Sequence, residues 1–247
     1  ARYGEVREGH ANLIFVTEPF SKSKQVKLDN PQAAGDDKVT VLKLNTTRKF
    51  NTGIYPYSIM QSTFTPVSYE QYPHALKATV TVKEWCGQVF GQINYDKSHY
   101  DYQAFSYFES EGDVEKKLDM AWLEDELWAR IRIAPGSLPT GEVELIPSMA
   151  FSRLTHIDLK PEKALLNLEN EKDTSTYRIE YQSLDRSLSI RFQSAFPHQI
   201  LSWEETYPSG GRMLTTRAEK VETLQIDYWS RNANEDLYLR DSLRLPR

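Results

Sequence analysis

The chain has 247 residues with a formal charge of -5, and 39% of them are hydrophobic and 12% aromatic. That acidic balance argues against a nucleic-acid partner, which leaves a basic footprint, and no apolar stretch approaches the roughly 18 residues of a membrane-spanning helix. Cys86 is the one cysteine, so there is no intramolecular disulfide.

Strand signals start near the first residue. Residues 3–7 and 13–17 flank a turn at Glu8-Gly9-His10, and the basic group Lys22 to Lys27 reads as a solvated loop or edge strand. A polar loop with Asn30-Pro31 and Gly35-Asp36-Asp37 precedes the strand-like run 39–44. Asn51-Thr52-Gly53 turns into 54–67, with 69–73 as a connector. Leu76, Ala78, Val80 and Val82 alternate with Lys77, Thr79, Thr81 and Lys83, the period of a strand with one buried face. Gly87 and Gly91 in the next stretch predict a bulge or a sharp bend.

One short helix is expected over 124–133. Leu123, Leu127, Trp128 and Ile131 recur at helical spacing, and Pro135-Gly136 stops the run. The acids Glu124, Asp125 and Glu126 fall in the first turn, where each carboxylate gains about 0.3–1 kcal/mol from the helix dipole. From Tyr177 to Ala218 four strands follow one another across turns at Ser183 to Arg186, Phe196-Pro197-His198 and Pro208 to Gly211. A weaker helix signal, equally compatible with a last edge strand, covers 235–243. The acidic stretch 168–174 reads as a loop within one domain, 1–247. These elements predict a mainly β fold: an antiparallel, strongly curved sheet, either a half-barrel or a sandwich, with one short helix.

Chemical motifs are absent. There is no phosphate-binding Gly-rich loop, no Gly-x-Ser-x-Gly elbow and no His-Glu-x-x-His. The five histidines are scattered, so no metal or cofactor is expected, and Cys86 reads as a small buried hydrophobe. A hairpin across Asp96-Lys97-Ser98 sets Phe105 opposite Phe90, Gln103 opposite Gln92 and Tyr107 opposite Gln88. A second hairpin, turning at Ser110 to Asp113, sets Leu118 beside Phe105 and Met120 beside Gln103. Phe105, Leu118, Met120 and Trp122 then share a buried face, while Glu115, Lys117 and Asp119 face water. Polar groups on such a face are costly unless they bond a partner, and they also line ligand grooves. The candidate ligand-binding residues are therefore Trp85, Gln92, Gln103, Tyr107, Glu109 and Trp122. Glu205, on the face of Leu201 and Trp203, is the other carboxylate of interest, because two facing acids can serve a glycosidase.

Segments along nearly the whole chain carry a resemblance. Ala1-Arg2-Tyr3-Gly4-Glu5, Leu13 to Glu18, Lys49 to Ser58, Glu84-Trp85-Cys86-Gly87, Tyr107 to Asp113 and Leu138 to Glu142 resemble an uncharacterised family of bacterial exported proteins, sometimes labelled septum formation inhibitor Maf. The chain lacks the Ser-x-Ser-Pro-Arg-Arg start of the Maf nucleotide pyrophosphatases and reads β rather than α/β, so that label is set aside. The resemblance implies a periplasmic or membrane-anchored protein of the cell envelope, with its signal segment absent from this chain, and implies no activity. Two functions follow: a non-catalytic envelope protein binding an apolar or amphiphilic ligand (lipid or glycan) or a protein partner, or a carbohydrate-active enzyme with a Glu/Asp pair.

Overall fold

A computed structural model describes residues 1–246. Strands take 51% of the chain and helices 15%, so the fold is mainly β. Sheet one is a meander of seven antiparallel strands in chain order: β1 (Gly9–Ser21), β2 (Lys38–Thr52), β3 (Tyr55–Pro66), β4 (Lys77–Glu84), β5 (Gly87–Asp96), β6 (His99–Ser106) and β7 (Val114–Asp119). Sheet two holds β8 (Trp122–Leu123), β9 (Gly141–Ile146), β10 (Glu162–Asn170), β11 (Thr174–Tyr181), β12 (Arg186–Gln193), β13 (Ile200–Ser209) and β14 (Arg212–Glu219), also in chain order. Among the described residues, only the short β8–β9 pair is parallel. Each sheet ends in two unpaired edge strands, so neither closes into a barrel.

Three helices occur among the described residues. The helix α1 (Glu124–Ile133) spans the stretch expected from its spacing, α3 (Tyr238–Ser242) falls within the weaker signal over 235–243, and α2 (Met149–Thr155) is additional. In α1, Leu127, Trp128 and Ile131 join one core with Tyr177, Ile179, Ile190 and Phe192 of sheet two and Leu44 of sheet one. In α2, Met149 and Ala150 join Val80, Ile93, Tyr100 and Leu118 of sheet one. Burying each of these larger side chains contributes about 1.5–3 kcal/mol. The seven residues of α2 carry no polar stripe, which is why no helical period marks them in the sequence.

Three local expectations need correction. The β5–β6 register is as expected, with Phe90 opposite Phe105 and Gln92 opposite Gln103. The β6–β7 register is not: Tyr100, rather than Phe105, lies opposite Leu118. That slip is five residues, an odd number, so the faces exchange. Leu118 is buried while Phe105 is 51% exposed on the opposite face; Glu115, Lys117 and Asp119 face water as expected. The slip arises in the loop 107–113, where Glu111 reaches away to Arg153 and His156 at 2.9 and 2.7 Å, ending the hairpin early. Gly87 and Gly91 cause no bulge, since β4 and β5 stay in register. They permit close approach instead: a Cβ at Gly87 would lie 2.7 Å from the Tyr107 ring, and one at Gly91 3.0 Å from Met149 Cε. Cys86 is exposed, in the β4–β5 turn.

Candidate functional site

The site begins from alternation in β5 and β6. Val89, Gly91 and Ile93 are buried toward α2, so Phe90 and Gln92 point the other way, to the outer face of sheet one. Across the strands a continuous row runs Met60, Thr81, Phe90, Phe105, on β3 to β6. At the strand spacing of a sheet it is about 14 Å long. Met60, Phe90 and Phe105 are 43%, 38% and 51% exposed, so the row is an apolar surface facing water.

Polar groups border it on both sides. The Gln92–Gln103 pair lies in the next row, extended by Glu115 of β7. Gln92 Nε2 donates to Asn94 Oδ1 at 2.6 Å, while the Gln103 side chain is exposed. In the other direction lie Lys83, Gln88 and Tyr107, whose N–H donates to the Gln88 carbonyl at 3.4 Å. Tyr107 rests on Gly87 and is 75% exposed, and Trp85, at the β4–β5 turn, is 68% exposed with its ring 6.3 Å from that of Tyr55. Sheet one thus brings Gln92 and Gln103 to its outer face, while Trp85 and Tyr107 are exposed at the β4–β5 end, against Tyr55 and Gly87 on the inner-facing side. Glu109 is exposed in the β6–β7 loop. Trp122 lies elsewhere, half-buried against the core of sheet two, its ring 4.9 Å from His74 and 5.6 Å from the Arg130 guanidinium. Sequence reasoning left out Met60 and assigned Phe105 to the core. The signal that could have corrected it is Gly91, a residue without a side chain whose neighbours in alternation, Val89 and Ile93, are the apolar ones.

The inner carboxylates are differently placed. Arg186, on β12, donates at 2.5–3.0 Å to Glu124 of α1 and Glu205 of β13, and the Tyr181 hydroxyl donates to Glu124 at 2.8 Å. The Arg186 guanidinium lies 4.1 Å from the centre of the Phe151 ring. Burial opposes the arginine's charge, but Glu124 and Glu205 outweigh it and raise its pKa well above the usual value. Burial likewise opposes ionisation of Glu205, and the charges of Arg186 and Arg48 outweigh it, holding that carboxyl below its usual value. A pair whose oxygens converge on one arginine is not free to act as acid and base.

Beside this triad, Asp125 accepts from Gln61 Nε2 at 3.0 Å and from the Met149 N–H at 3.2 Å. Burial and the Glu124 charge push its pKa up to about 6. Asp125 borders a cleft with Arg48, Gln61, Trp128 and Trp203, whose free volume of about 10 Å³ suits about one water. The third acid, Glu126, accepts the N–H groups of Ala75 and Leu123 and meets His74 Nδ1 at 3.2 Å. All three first-turn acids therefore serve as anchors between elements. A second, wider groove of about 320 Å³ lies on sheet two, bordered by Glu142, Glu162, Lys163 and Glu180. None of the six residues expected at a site lines either cleft.

No family model matches this chain, and neither a curated protein nor a solved structure is significantly similar to it.

Proposed function

We propose that this is a non-catalytic binding protein of the cell envelope, and that the outer face of sheet one takes a glycan chain. The observation that carries the reading is the exposed Phe90–Phe105 pair, bordered by Gln92–Gln103 on one side, with Trp85 and Tyr107 exposed beyond the other. Aromatic faces cover the apolar face of a sugar ring, and amides bond its hydroxyl and acetamido groups. A glycan suits this surface better than a lipid. An open face leaves one side of its ligand in water, which a sugar tolerates and an alkyl chain does not. A lipid tail calls for an enclosed apolar cavity, and the cleft between the sheets has room for about one water. The envelope location rests on the family resemblance of the segments from Ala1 to Glu142. The carbohydrate-active alternative finds less support, because Glu124 and Glu205 are both bound to Arg186.

The test is calorimetric titration with a β-1,4-linked N-acetylglucosamine hexamer and with a cellulose-derived hexamer. Binding of either should weaken at least about tenfold, about 1.4 kcal/mol, in a Phe90→Ala/Phe105→Ala variant and in Trp85→Ala. Absence of binding to both sugars, or equal affinity in the variants, overturns the reading.

A further inference from the structure

We infer that the β5–β6 hairpin carries a binding site for a divalent transition ion of the zinc class, formed by Asp96, His99 and Asp101. The site lies on the same outer face as the proposed glycan surface, next to its Gln92–Gln103 pair: Asp101 precedes Gln103 by two residues, about 7 Å, while Asp96 is about 20 Å from Phe90.

The hairpin assembles these donors from its own geometry. Lys97 takes a left-handed conformation, φ 34°, which closes the turn tightly and makes Asp96 and His99 direct partners. Asp101 follows His99 by two residues on β6 and so shares its face. The result is that His99 Nε2 lies 3.1 Å from Asp101 Oδ1 and 3.6 Å from Asp96 Oδ2. One ligand atom from each residue lies within 4.8 Å of the others. With bonds of about 2.0–2.2 Å, neighbouring donors around a tetrahedral zinc ion stand about 3.4 Å apart, between the two separations seen here. A small inward shift of the carboxylates completes the geometry.

The surroundings favour an ion there. His99 Nδ1 lies 3.1 Å from Ser98 Oγ, a contact that orients the ring with Nε2 toward the carboxylates, as outer partners do for metal-bound histidines. Both aspartates pair with the same imidazole nitrogen, which has at most one proton to give. A third carboxylate, Asp119 of β7, stands opposite His99 in the register and adds negative charge. A cation with two positive charges relieves this crowding better than one shared proton. The nitrogen donor sets the class. Imidazole with two carboxylates suits zinc, cobalt or nickel, whereas magnesium and calcium prefer oxygen alone.

The experiment is calorimetric titration of the untagged chain with zinc chloride and separately with magnesium chloride, repeated on His99→Ala and Asp101→Asn. Circular dichroism of both variants checks that the fold is kept. The expected result is one zinc ion per chain, bound at least about tenfold more tightly than magnesium, with a loss of about tenfold or more in each variant. Absence of zinc binding, a preference for magnesium, or unchanged zinc affinity in His99→Ala (the ion then resting on other histidines) overturns the inference.

Discussion

Arg186→Met tests whether the buried triad holds sheet two to α1. The arginine makes four hydrogen bonds to two carboxylates, and Arg186 and Glu124 are 3% and 2% exposed. Removing one partner of a buried ion pair costs about 3–5 kcal/mol, because the other charge is left desolvated. Here two carboxylates lose the same partner, so a cost near the upper end, about 5 kcal/mol, is expected at neutral pH. The sign of the pH dependence follows from Glu205, whose pKa is depressed in the fold. Its ionised form stabilises the native state above the unfolded value of about 4.3, and that contribution disappears as pH falls through the lower folded value. Without Arg186, Glu205 gains a proton more readily, so acidification neutralises it and the cost shrinks. Urea unfolding followed by tryptophan fluorescence should therefore show a larger loss near pH 7.5 than near pH 5. Replacing the whole triad, Glu124→Gln with Arg186→Met and Glu205→Gln, should restore more than half of the lost stability. A cost below about 1 kcal/mol, or an equal cost at both pH values, would refute this reading.

Asp125 supplies a prediction of opposite sign. Its carboxyl is raised to about 6, so the stability tied to its protonated form is present below about pH 3.9 and lost as pH rises through 6. Asp125→Asn should remove that slope, and unfolding titrations from pH 4 to 7.5 should show the variant gaining on the native chain by at most about 3 kcal/mol; parallel curves would count against it. The register of β6 is tested by a pair of truncations. Tyr100→Ala, at a fully buried position, should cost about 3–5 kcal/mol, while Phe105→Ala should cost less than about 1 kcal/mol. Thermal or urea unfolding that gave the reverse order would return Phe105 to the core.

The fold was legible wherever pairing is local. A short turn at Lys97 and Ser98 fixes β5 against β6, and alternation in β11 and β12 places Tyr177, Ile179, Leu188 and Ile190 inside. The helix α1 was legible because its apolar spacing, acidic first turn and Pro-Gly stop all agree. What failed depended on distant residues. The end of β6 is set by Glu111 meeting Arg153 and His156, more than forty positions away, and no local pattern encodes that contact. The same is true of the triad: Glu124 and Glu205 are brought together by Arg186, which in the sequence looks like an ordinary turn residue before β12. Of the expected site, Gln92 and Gln103 share the outer face because they pair across neighbouring strands, and Trp85 and Tyr107 lie in turns at one end of the sheet. Trp122 lies away from them because it follows sheet one and begins sheet two.

The location of a bound sugar tests the central claim most directly. Backbone and side-chain amide spectra of the labelled chain, recorded while the N-acetylglucosamine hexamer is added, should shift at Phe90, Gln92, Gln103 and Phe105 and at the Trp85 indole N–H. The residues around Asp125 and Trp128 should stay in place. Spectra that do not change, or changes confined to Asp125, Trp128 and Trp203, would contradict a glycan-binding outer face.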